Sequence, residues 1–236
     1  MPPSPAHLRF HAERDLSALI ITIEFTLISV MVGVVLFPLM DHAQQLIRTL
    51  QFEYWLYIVG GILLTLYLWT EVITHSLSII GWPFEFGHNL LYIVFALTFA
   101  IQMNFLDDPL TWFAMTTLNA AMAMIMLLYD YRMIIRQRET ATGATRQLFR
   151  LASQRQRQLM VTMPVTMASG IIAVIAMVMF PDLFLKQHWH LVLIVFQVIA
   201  VLIQIIRTVR TFNSWQAAIL QRAMEELASE TDHPEF

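Results

Sequence analysis

WHLVLIVFQVIAVLIQIIRTVRTF, residues 189–212, is the stretch whose reading decides the fold. It contains no glycine and no proline, and its only ionisable side chains are His190, Arg207 and Arg210. As a helix rising about 1.5 Å per residue it is roughly 36 Å long, enough for the ~30 Å hydrocarbon core of a bilayer. A strand of a membrane barrel would alternate apolar and polar residues, which this run does not do. A helix satisfies its backbone N–H and C=O groups internally, so it is the form such a run takes in lipid.

The same test applied outward from this segment predicts six spans, at 16–40, 54–81, 87–106, 110–132, 160–181 and 189–212. Composition agrees. Of 236 residues 58% are hydrophobic and 13% charged, with a mean hydropathy of +0.62, whereas soluble domains carry about 25% charged residues. The chain reads as all-α, a single polytopic integral membrane domain over residues 1–236, with no room for a separate extramembrane domain. Cysteine is absent, which excludes disulfides and thiolate metal sites. The first apolar run, Leu16 to Met40, is about twice the length of a signal-peptide core and lacks a small-residue cleavage site, so a cleaved signal is not expected.

Basic residues set the orientation, because Lys and Arg are retained on the cytoplasmic side. With six spans, Arg9, Arg14, Arg132, Arg136, Arg138, Arg146, Arg150, Arg155, Arg157, Arg207, Arg210 and Arg222 share one side, and only Arg48 and Lys186 take the other. Five or seven spans would separate Arg9 and Arg14 from the C-terminal group. Both termini are therefore expected in the cytoplasm of a multi-pass cell-membrane protein. Aromatic residues fall where these boundaries lie, with Tyr54, Trp55, Trp112 and Trp189 at the outer interface and Trp82, Tyr129, Tyr131 and Trp215 at the inner one. Phe37-Pro38, Asp108-Pro109 and Pro181-Asp182 are expected to punctuate the external ends of helices.

Two segments outside the spans look amphipathic. Residues 136–158 read as a basic cytoplasmic loop, in which Leu148, Leu151 and Leu159 punctuate a run of arginines suited to an anionic leaflet. Residues 213–230 read as a C-terminal helix with Ile219, Leu220, Met224 and Leu227 on one stripe, packing on the protein body or on a neighbouring copy.

An ionisable group within a span costs several kcal/mol, about 2.5–3.5 on insertion scales, and calls for an explanation. Glu24, Glu71, His75 and Arg207 are such groups. Glu24 and Glu71 lie roughly 12 and 15 Å from the same end of their spans. His75 is one turn from Glu71 on the same face. Two carboxylates at one depth need a shared proton or a bound cation, so Glu24, Glu71 and His75 are the candidate ion- or proton-binding residues. Arg207, Gln204, Asn119 and Tyr67 are candidate counter-charge or lining groups. Polar stripes on the second span (Tyr67, Thr74, Ser78), the fifth (Thr162, Thr166, Ser169) and the sixth (Gln197, Gln204, Thr208, Thr211) would line a cleft open to the cytoplasm if they converge.

The plainer reading is that these polar groups hydrogen-bond helices to one another, with Arg207 snorkelling to the surface. Di-iron proteins carry Glu-x-x-His in duplicate, while Glu71 and His75 are four apart and occur once, so neither metal nor cofactor is expected there. His188 and His190 read as a solvated pair in an external loop. No phosphate-binding loop, dinucleotide fingerprint, GxSxG or HExxH motif is present, and the basic segment lacks the aromatic interleaving of a nucleic-acid surface.

Three functions fit these residues. The first is conduction or transport of a small ion or proton through an inner-leaflet polar site. The second is a non-catalytic membrane subunit or scaffold, with homo-oligomer or membrane-complex partners. The third is an integral-membrane enzyme acting on a lipid or quinone. The first falls if either carboxylate has a dedicated arginine, because no bound cation is then required.

Overall fold

The computed structural model describes the backbone of residues 5–78 and 86–231, and the side chains in that range except those of 5–21, 24, 75–78, 86, 88, 89 and 226–231. Among the described residues the chain is all-helical. The helices are α1 (Pro5–Arg48), α2 (Trp55–Ser78), α3 (Phe86–Gln102), α4 (Pro109–Thr140), α5 (Gly143–Met179) and α6 (His190–Thr231). Five contain stretches long and apolar enough to cross a membrane, at Phe25–Arg48, Phe52–Thr74, Pro109–Thr140, Gly143–Met179 and His190–Glu225.

The third expected span, 87–106, is shorter than anticipated. Its helix has 17 residues, about 25 Å of rise against a ~30 Å core. It ends because the backbone tightens into successive three-residue turns from Met103 to Ala100, Asn104 to Ile101 and Phe105 to Gln102. The Asn104 side chain also donates to the Ala100 carbonyl (3.1 Å).

The first helix runs past its expected end, because Pro38 does not stop it. Pro38 sits inside α1, which continues to Arg48. A proline removes one N–H from the ladder, here the partner of the Val34 carbonyl, and membrane helices tolerate that loss. At the start of α4 the expected punctuation does operate. Asp108 is the N-cap and accepts from Thr111 N (3.1 Å), with Pro109 at the first helical position.

Each helix packs chiefly on two others, α1 on α2 and α3, α3 on α4, α4 on α5, α5 on α6 and α6 on α2, closing a ring that a smaller α2–α5 contact crosses. Side-chain pairs give the directions. Tyr57 meets His190 and Glu71 meets Thr208, so α2 and α6 are parallel. Thr98 meets Asn119 and Gln102 meets Thr116, so α3 and α4 are antiparallel. Arg157 meets Tyr131 and Gly170 lies against Thr117, so α4 and α5 are antiparallel. His42 reaches Asp107 (3.2 Å), which brings the end of α1 to the α3–α4 connection.

Inside the ring, one core gathers Val35, Leu39, Tyr57, Phe99, Met103, Trp112, Met177 and Ile194 near that connection. Outside it, Phe37, Val161, Val165, Ile172 and Phe196 are well exposed. So many large apolar side chains on the outer surface suit lipid and would be costly in water.

Residues 136–158 are helical apart from the Ala141-Thr142 break between α4 and α5, where Gly143 takes φ +55°. Leu148, Phe149, Ala152 and Leu159 are buried. Phe149 and Ala152 pack with Met133, Ile134 and Trp215 in a second core. This stripe is thus turned into the protein, not laid on a membrane surface. Residues 213–230 continue α6 without a break. Trp215 and Ala218 are buried against the hairpin, while Leu220 and Met224 remain exposed.

Candidate functional site

The interior polar groups fall into three clusters, each made where helices of the ring meet. At the arginine-rich end, Glu71 of α2 is ion-paired with Arg155 of α5. The same guanidinium donates to Thr208 Oγ1 (2.8 Å) on α6. The Thr208 hydroxyl faces two acceptors, Glu71 Oε1 and the Gln204 carbonyl. Tyr67 stands one turn before Glu71 on the same helix. Arg155 and Thr208 are buried. A carboxylate in this setting has its charge compensated by the guanidinium and the Thr208 hydroxyl, and has no electrostatic need for a further cation.

The arginine on Glu71 is therefore Arg155, where the sequence suggested Arg207. Arg207 is exposed on α6. In the sequence Arg155 reads with its neighbours as part of a surface loop. A signal was nevertheless present, since Leu148, Ala152, Arg155 and Leu159 share one helical stripe, and an arginine inside an apolar stripe requires a buried partner. Glu24 and His75 lie on α1 and α2, but their side chains lie outside the described residues.

Midway along the ring, amides of α3, α4 and α6 form a continuous network. Thr98 donates to Asn119 Oδ1 (2.7 Å), and Asn119 Nδ2 to Gln102 Oε1 (2.7 Å). Gln102 Nε2 donates to Thr116 Oγ1 (2.8 Å), Gln197 Nε2 to the same hydroxyl (3.3 Å), and Trp112 Nε1 to Gln197 Oε1 (2.9 Å). Asn119 and Gln197 thus pair with neighbouring helices. Trp112, expected in the outer aromatic belt, is fully buried here, because its indole N–H finds an acceptor in the core.

At the far end His190 is buried against Tyr57, with 3.0 Å between Nδ1 and the phenol oxygen, and Tyr54 stacks on its ring. This departs from the solvated histidine pair read from the sequence. His188 is exposed, while His190, the first residue of α6, turns into the ring.

The polar stripe of the fifth span does not converge on a cleft. Thr162, Thr166 and Ser169 return their hydroxyls to carbonyls of their own helix, at Gln158, Thr162 and Thr166. Among the described residues no group of three or more His, Asp or Glu side chains is arranged to hold a metal ion. Compared with known families, curated proteins and solved structures, the chain shows no match.

Proposed function

We propose that this chain is a non-catalytic membrane subunit or scaffold, a six-crossing helical ring with both termini on the cytoplasmic side. The single observation carrying this reading is Arg155 on Glu71. The carboxylate that would have required a bound cation already has its own guanidinium, and the Gln102–Asn119–Gln197 amides are mutually bonded. Polar groups paired across helices in this way hold the helices in register. Direction supports six crossings. The short α3 runs between the arginine-rich end of α2 and the far end of α4, in keeping with its crossing the same thickness as its longer neighbours. The twelve-to-two division of basic residues supports a cytoplasmic arginine-rich end.

The test is extraction from native membranes in mild detergent together with flux measurements in liposomes. The expected outcome is recovery with defined partner proteins and no proton or ion movement above empty vesicles. Recovery as a homo-oligomer that conducts would overturn it.

A second reading, passage of a proton or small ion, is favoured by one observation. His190, Gln197, Gln204 and Thr208 recur on the inward face of α6 over 18 residues of helix, about 27 Å. Polar groups thus recur through most of a hydrocarbon thickness. Passage would require the Glu71–Arg155 pair to open. In that case Glu71→Gln and Arg155→Gln would each change liposome flux relative to the parent chain. Identical flux in all three would exclude this route.

A further inference from the structure

Arg157 is held differently from the other arginines of the α4–α5 hairpin. Its Nε donates to the Tyr131 hydroxyl (2.7 Å), and its guanidinium carbon lies 5.7 Å from the centre of the Tyr131 ring. Both Nη groups are without a partner among the described residues. A guanidinium fixed through Nε and one ring face, with its Nη edge open, is prepared for a planar or tetrahedral oxyanion.

The surroundings identify the kind of anion. One and two turns along α5 on the same side as Arg157 are Val161 and Val165, 71% and 66% exposed. On α4, Arg132 likewise tops an outward stripe of Leu128, Ile125 and Leu118. Each arginine therefore sits at the head of an exposed apolar track on its own helix. Of the two acids between residues 129 and 160, Asp130 is buried, leaving Glu139 against exposed Arg132, Arg136, Arg146, Arg150 and Arg157. An acidic protein surface would complement the charge but not the apolar tracks. A phospholipid complements both.

We propose that Arg157, oriented by Tyr131 and assisted by Arg132, binds the phosphate of an anionic phospholipid whose acyl chains lie along Val161–Val165 and Ile125–Leu128. The full-length chain is reconstituted in mixed phosphatidylcholine and phosphatidylglycerol, re-extracted in limiting detergent, and its retained lipid identified by mass spectrometry. The parent chain is expected to retain phosphatidylglycerol in excess of its share of the bilayer. Arg157→Gln lowers that retention about fivefold, one arginine near the surface being worth roughly 1 kcal/mol. Tyr131→Phe lowers it about two- to threefold through the lost Nε partner, and Arg157→Lys falls between parent and Arg157→Gln.

Arg146→Gln leaves retention unchanged, because that position is roughly 16 Å farther along α5 and screening acts over about 8 Å. Equal losses in Arg146→Gln and Arg157→Gln would overturn the site in favour of diffuse attraction. Absence of enrichment in the parent would also overturn it, as would co-purification of an acidic protein that depends on Arg157 while lipid does not. Should Arg157→Gln fail to fold, Tyr131→Phe and Arg157→Lys decide the matter alone.

Discussion

At Glu71 one side chain carries the electrostatics of three helices. Removing the guanidinium leaves a partly buried carboxylate with the Thr208 hydroxyl alone, and breaking such a pair from one side costs about 3–5 kcal/mol. Arg155→Gln is therefore expected to lower thermal stability in detergent by about 3 kcal/mol, whereas the double variant with Glu71→Gln recovers most of the loss. Equal stability of single and double variants would show that the pair is not coupled. The amide network is a milder case. Asn119→Leu removes the donor to Gln102 and the acceptor for Thr98, and interhelical bonds of this type are worth about 0.6–2 kcal/mol. A loss of about 1 kcal/mol is expected on the same unfolding assay.

Among the elements, close approach is concentrated at a few glycines. A Cβ on Gly170 of α5 would overlap the Thr117 hydroxyl of α4, whose proton is given to the Phe113 carbonyl. Gly33 of α1 has nothing within 4 Å of the same position. Gly170→Val is expected to cost about 1–3 kcal/mol by forcing α4 and α5 apart. Gly33→Ala is expected to be neutral or stabilising by up to about 1 kcal/mol, since glycine weakens a helix interior. Similar unfolding midpoints for the two would count against tight α4–α5 packing.

The turn between these helices is constrained as well. Gly143 has φ +55°, and a Cβ there would meet Glu225 Oε2 at 2.6 Å, while Glu225 accepts from Ala144 N (3.0 Å). Gly143→Ala should therefore cost about 1–2 kcal/mol from the left-handed backbone alone, read as a lowered unfolding midpoint.

For the whole molecule, the ring predicts which loops share a side. The absence of cysteine makes this directly measurable. Thr142→Cys and Ala223→Cys, both at exposed positions of the arginine-rich end, should react with a membrane-impermeant maleimide from one face of sealed vesicles. Gln187→Cys, in the α5–α6 connection, should react only from the other. Labelling of all three from one face would remove the six-crossing arrangement.

By itself the sequence determined that this chain is helical and built for lipid. A run such as residues 189–212 has too few charges for a water-soluble surface and too little alternation for a barrel, and backbone hydrogen bonding in hydrocarbon leaves the helix. It also located the apolar stretches of the helices, while the ends of α3 and α1 turned on Asn104 capping a tightening turn and on Pro38 being tolerated inside a helix. Only the tertiary structure decided which polar residues compensate one another. Hydropathy and spacing report depth along a helix and the face of a side chain, but not which helix lies opposite. The partnership of Glu71 with Arg155, the burial of His190 and Trp112, and the inward turn of the Leu148–Leu159 stripe all depend on that choice of neighbour.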